Sequence, residues 1–338
     1  MTTHATTLPP IDPAVSAIVT AAGGEIRALD PIGAEVSGID LSSPDAPSPE
    51  VIAVLEREMA RRGFLVFRNG TQIGHEDFLR ASCWWGGREL HSTHGVHPQT
   101  PGGNRHIFRL SNDERHGIPD VGPQWHNDGS FLPATFSHSG YHIIRPAENG
   151  GGTHFAHQGL AFQALPKERQ DRWRRLSSVN STSGVVHPLV HEHPLTGQAC
   201  IWLHLGMTGA VIEKLPDQDA FSLLHADDLK QLCHAYNDIL NAGLTDGYAI
   251  AFEYRENDCV FIDNLAVAHR AAPEAHMPAE RQGLRIMHRS TVKGVTDLAP
   301  GFGLPQHVRI DAPNPIGEGV WQGGGVGFRW DDGIKMRN

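Results

Sequence analysis

Cysteine is scarce and unpaired. The chain holds four, Cys83, Cys200, Cys233 and Cys259, and no two form a C-x-x-C pair. That spacing excludes a zinc ribbon and a disulfide framework, and fits reduced thiols in a cytoplasmic protein. Basic runs are missing too, and the net charge is −10. Phosphate binding needs clustered Lys and Arg, so no nucleic-acid partner is expected. No apolar run approaches the roughly 18 residues needed to span a bilayer. The polar start, Met1 to Pro10, lacks a basic-then-apolar leader, so no membrane partner is expected either. Internal repeats are absent.

Turn-forming residues, by contrast, are abundant. There are 37 glycines and 23 prolines among 338 residues, with 39% hydrophobic residues. Such a chain can bury a large core, and its composition favours many short strands and loops over a helical bundle. Residues 1–14 show no periodicity. Ser48-Pro49-Glu50 opens a helix, with a capping hydroxyl, proline at the first helical position and an acid in the first turn; Gly63 ends it. Phe64 to Phe67 then reads as a buried strand. A second helix is expected from His75 to about Trp84, and strands at Ile107–Leu110, Phe136–Ile144 and Thr153–Ala156. Leu160 to Leu176 reads as helical with a break at Pro166. Strands follow at Ser177–Ser181 and Ala199–Leu205, then an amphipathic helix over 218–242. Tyr248–Tyr254, Cys259–Asp263 and Gly283–Thr291 complete the strands. The fold class is therefore mainly β with flanking α-helices, a two-sheet barrel or jelly roll.

Chemistry concentrates first in Gln124-Trp125-His126-Asn127-Asp128-Gly129-Ser130. In extended backbone His126 and Asp128 point to one side and Asn127 to the other. An imidazole beside a carboxylate suits iron(II), manganese or zinc, and two histidines with one carboxylate form the facial set of non-haem iron oxygenases. His269, after a strand and a short loop, is the candidate third ligand. Arg285 and Arg289 stand four apart on the last strand, an even step that puts both on one side. A buried arginine needs a partner, and its fork suits a ligand carboxylate. Thr153, just past a glycine turn, offers a hydroxyl to the same carboxylate.

Taken in order, several segments resemble the taurine dioxygenase and 2,4-dichlorophenoxyacetate dioxygenase family of iron(II)- and 2-oxoglutarate-dependent oxygenases. They are His126-x-Asp128, Gly151-Gly152-Thr153, His187-Pro188-Leu189-Val190 with His193-Pro194-x-x-Gly197, Asp263-Asn264 through His269, and Arg285-Ile286-Met287-His288-Arg289. The opening Ile32-Gly33-Ala34-Glu35-Val36-Ser37-Gly38-Ile39-Asp40-Leu41 is also similar. The resemblance implies a cupin-like double-stranded β-helix, with Fe(2+) held by His126, Asp128 and His269. It also implies that Arg285 and Thr153 hold the distal carboxylate of 2-oxoglutarate and that O2 is the oxidant. Substrate-binding candidates are Arg289, His91 or His94, and Asn127. Departures stand at His191-Glu192, where the family often has arginine and threonine, and at Ile262 and Leu265, where it often has tryptophan and arginine.

The expected reaction couples decarboxylation of 2-oxoglutarate to succinate and CO2 with C–H oxidation, most simply hydroxylation, of a small carboxylate- or sulfonate-bearing substrate. Asp128 argues against halogenation, which needs a small residue there. Desaturation or oxidative rearrangement are variants of the same chemistry. A zinc hydrolase using the same ligands, or a non-catalytic jelly-roll binding module, are the rivals. Three segments are expected: an N-terminal arm (1–25), the oxygenase domain (26–295), and a C-terminal extension (296–338). In the extension, Gly323–Gly325, Trp321, Phe328 and Trp330 form either a lid or a packing tail. The resemblance also implies a homo-dimer or homo-tetramer.

Overall fold

The computed structural model describes residues 8–68, 73–93, 95–310 and 328–329. His94, Trp321, Trp330 and the Gly323–Gly325 run lie outside them. The chain divides into two compact units: Met1–Pro123 with Phe136–His157 and Gly243–Val295, and Gln124–Thr135 with Gln158–Ala242 and Thr296–Asn338.

The first unit is built on a seven-stranded sheet. In spatial order its strands are Glu25–Ala28, Ala34–Ser37, Phe64–Phe67, Cys259–Asp263, His138–Arg145, Ile286–Val292 and Phe108–Ser111. Ala34–Ser37 and Phe64–Phe67 run parallel, which requires a crossover, and helix Pro49–Arg62 supplies it. That helix starts as its sequence dictates: Ser48 Oγ accepts from Val51 N at 3.3 Å. Its buried face carries Val51, Ile52, Leu55 and Met59. Phe64-Leu65-Val66-Phe67 is wholly buried because strands flank it on both sides. Phe67, Phe78, Trp85 and Phe261 pack around it as one aromatic cluster. A second, three-stranded sheet places Thr153–His157 between Ala249–Phe252 and Val267–Ala271.

The first helix of this unit has no counterpart in the sequence reading. Pro13–Ala21 is helical, capped by Asp12 Oδ1 accepting from Ala14 N at 2.8 Å. Asp-Pro at a helix start is the signal that marks it.

In the second unit, a four-stranded sheet runs in the order Phe221–Leu223, Thr208–Lys214, Leu176–Asn180, Val186–Pro188, with a hairpin of Val190–Glu192 and Ala199–Ile201. The break at Pro166 is real: helices Gln158–Ala164 and Lys167–Trp173 flank it. The long amphipathic helix, however, covers Ala226–Asp246, not 218–242. Phe221 belongs instead to an edge strand opposite Lys214, whose ammonium lies 5.4 Å from the ring centre. Asp217 at φ 57° turns the chain into that hairpin, a conformation a helix cannot continue through. The strand expected over Ala199–Leu205 stops at Ile201. Among the described residues no helix is long and apolar enough to cross a membrane. The mainly β architecture with flanking helices is as expected.

Candidate metal centre and co-substrate site

Trp125 to Asn127 run extended and Asp128 begins a turn. His126 Nε2 and Asp128 Oδ1 therefore share one side, 3.9 Å apart, and both residues are buried. His126 Nδ1 donates to the carbonyl oxygen of Gln124 at 2.7 Å. A carbonyl only accepts, so the proton sits on Nδ1 and Nε2 keeps its lone pair for a metal. The turn after Asp128 is held from behind. His187 Nε2 donates to the carbonyl of Ser130 at 3.1 Å, and Asn180 Nδ2 donates to Ser130 Oγ at 2.9 Å. Burial lowers the His187 pKa to about 4, so this imidazole is neutral at pH 7.

Asn127, expected as a substrate contact, faces the protein interior. Its side chain is fully buried and paired with the amide of Gln158.

His269 stands on Val267–Ala271, opposite Phe155 of Thr153–His157. Its ring is 3% exposed and packs edge-on to Tyr141 at 6.0 Å. The donor atoms of His126, Asp128 and His269 all lie within 4.8 Å of one another. No other trio of His, Cys, Asp or Glu among the described residues is grouped this way. Two imidazoles and a carboxylate, all buried, fit a first-row divalent ion that prefers mixed N and O ligands.

Arg285 precedes the strand Ile286–Val292. Asn112 Oδ1 accepts from its backbone N at 2.9 Å, and Arg285 Nη2 donates to the Ala275 carbonyl at 3.3 Å. Its Nε is buried with no hydrogen-bond partner among the described residues. Burial lowers its pKa, and the group that opposes this is the Tyr254 phenol, not a carboxylate. A guanidinium so placed lacks the acid that would offset its burial. It lines a narrow cleft with Tyr254, Gly151 and Met287. Thr153 is buried at the start of its strand, and burial raises the Tyr254 pKa while Thr153 and Arg285 beside it oppose the rise. A ligand carboxylate would complete this group.

Arg289 lies over Phe108, 4.8 Å from the ring centre. His288, one step away, points to the other face, where its Nε2 accepts from Arg109 Nη1 at 2.7 Å. His91 is tied by its backbone N to the Thr291 carbonyl at 2.9 Å, and its ring sits 4.6 Å from that of Phe136. Two residues of these groups went unread in the sequence, Gln158 and Tyr254. Tyr254 ends an expected strand and Gln158 lies just beyond one, where a polar side chain looks like ordinary punctuation.

The chain is 25% identical over 287 residues to an alpha-ketoglutarate-dependent sulfonate dioxygenase of Saccharomyces cerevisiae, covering 78% of this chain and 66% of the relative. It is 25% identical over 292 residues to an alpha-ketoglutarate-dependent sulfate ester dioxygenase of Pseudomonas putida, covering 78% and 87%. A crystal structure of a taurine dioxygenase from Burkholderia xenovorans superposes with a TM-score of 0.65 at 20% identity, over 82% of this chain and 92% of that one, which shows a shared fold. The family model described as "Taurine catabolism dioxygenase TauD, TfdA family" matches residues 25–291, and the chain belongs to that family.

Proposed function

We propose that this protein is an iron(II)- and 2-oxoglutarate-dependent oxygenase acting on a small substrate that carries a sulfonate, sulfate ester or carboxylate. The observation that carries the reading is the grouping of His126, Asp128 and His269. His126 and His269 would hold the metal as neutral imidazoles, and Asp128 would offset part of its charge. Bound there, iron(II) supplies the chemistry that couples oxidative decarboxylation of 2-oxoglutarate with C–H oxidation of the substrate. Arg285 binds the distal carboxylate of 2-oxoglutarate through its fork, and Thr153 adds a hydroxyl donor. A co-substrate held there by its far end would keep its keto-acid end free for the metal. Arg289 and His91 are assigned to the acidic group of the substrate. The relatives named for sulfonates and sulfate esters support that substrate class. In this reading residues 26–295 form the oxygenase domain as a double-stranded β-helix.

The test is succinate release from 2-oxoglutarate with iron(II), across a panel of alkyl sulfonates, sulfate esters and small carboxylic acids. At least one should stimulate release, with loss in His126→Ala. Activity with zinc and no need for 2-oxoglutarate would replace this reading with a hydrolase. Ligand affinity untouched in His126→Ala would replace it with a binding module.

A further inference from the structure

The residue between the two ligands of the turn is itself clamped. Asn127 Nδ2 donates to Gln158 Oε1 at 3.0 Å, and Gln158 Nε2 donates back to Asn127 Oδ1 at 2.8 Å. Gln158 Nε2 also donates to the Tyr236 hydroxyl at 3.0 Å. All three residues are fully buried. The two amides close a ring of reciprocal bonds, so neither can flip without setting donor against donor and acceptor against acceptor. The third bond ties Gln158 to a further buried group.

We infer that Gln158 is a positioning residue for the metal centre, acting through Asn127. The inference rests on the reading of His126 and Asp128 as metal ligands. Asn127 is the pivot of the segment His126-Asn127-Asp128. Rotation of its backbone would swing the donors of both neighbours together, because their directions are set by the same pair of peptides. A packing role alone would be served by an apolar side chain. A satisfied buried polar network instead selects one arrangement and penalises every other, since each alternative leaves a dry amide unpaired. Tyr236, from helix Ala226–Asp246, anchors the far end.

The experiment measures Mn(II) binding by electron paramagnetic resonance for the wild type, Asn127→Ala, Gln158→Ala, the double variant and His126→Ala, with thermal melts alongside. Each single clamp variant should bind Mn(II) about tenfold more weakly, the scale of loss seen when an outer partner of a metal site is removed. The double variant should lose no more than the worse single one, because both substitutions break one pair. If Gln158→Ala does not fold, Gln158→Glu keeps the acceptor for Asn127 Nδ2 and loses the donor, and should fall between wild type and Asn127→Ala. Clamp variants that melt earlier yet bind Mn(II) like the wild type would overturn the inference. So would losses that multiply in the double variant. A wild type that does not bind Mn(II), or His126→Ala that binds it equally well, would sink the ligand assignment itself.

Discussion

Nδ1 of His126 lies 2.7 Å from the carbonyl oxygen of Gln124, and that one bond decides which nitrogen faces a metal. The carbonyl cannot donate, so the ring is protonated at Nδ1 before any ion arrives. The metal-free protein labelled at histidine should show His126 carrying a proton on Nδ1 by nitrogen NMR. An Nε2–H pattern for this residue would contradict the geometry. His126→Ala should weaken Mn(II) binding by more than about 100-fold, beyond what loss of an outer partner produces.

Arg285 makes a separate prediction, because its guanidinium is engaged by a backbone carbonyl and not by an acid. Hydrogen bonds to a charged group contribute about 1.5–3 kcal/mol each, so Arg285→Ala should raise the dissociation constant for 2-oxoglutarate roughly 10- to 150-fold. Mn(II) binding measured without 2-oxoglutarate should be unchanged. Isothermal titration reads both quantities, with Mn(II) alone in one experiment and with 2-oxoglutarate or a non-reactive analogue in the other. Equal losses for metal and co-substrate would show that Arg285 supports the fold and not the ligand.

Much of this site is legible in the chain because its parts obey short rules. His126 and Asp128 stand two apart, a step that sequence alone reads as one-sided, and they do share a side; Ser48-Pro49-Glu50 fixes a helix start that the structure reproduces. What the chain hides is set by partners distant in sequence. Asn127 reads as a polar residue beside a ligand, and only the arrival of Gln158 and Tyr236 shows where its amide goes. Phe221 and Leu224 fit a helical period, but pairing with Thr208–Lys214 makes Phe221–Leu223 a strand. Periodicity describes a face without saying what meets it. The expectation that His187 belongs to a family motif gains a physical reason from its bond to the Ser130 carbonyl, behind the metal turn.

Gly63 ties the end of helix Pro49–Arg62 to the strand that carries His269. It sits at φ +94°, and a Cβ there would lie 2.1 Å from Val267 Cγ2, two residues before His269. Gly63→Ala combines backbone strain with overpacking, and each costs about 1–3 kcal/mol. The melting temperature should fall by several degrees, and Mn(II) affinity should fall with it as Val267 is displaced. Adding Val267→Ala should recover metal affinity more fully than stability, since it removes the clash and leaves the strained φ. A Gly63→Ala protein with wild-type melting and binding would refute the coupling.

Buried neutral histidines give the fold a defined acid limit. Burial lowers the pKa of His142 to about 4 and that of His288 to about 3, with Arg109 and His142 adding to the latter, against an ordinary value of 6.5. His142 packs on Phe78 at 5.5 Å and on the His288 ring at 6.1 Å. In the unfolded chain these rings take up protons as the pH falls through about 6.5, whereas in the folded protein they stay neutral until about 4 or below. The unfolded state therefore binds more protons in that window. Stability is complete above about 6.5 and declines as the pH drops towards 4, by up to about 1.4 kcal/mol per pH unit for each such histidine. His142→Leu removes one of these sites from a buried, apolar setting. Urea unfolding from pH 7 to pH 5 should show a shallower decline for His142→Leu than for the wild type. At pH 7 the variant should be within about 1.5 kcal/mol of the wild type, the usual range for a volume-matched core change. Parallel pH profiles for the two proteins would mean that His142 takes up its proton in the fold as readily as in the unfolded chain, and would refute this account.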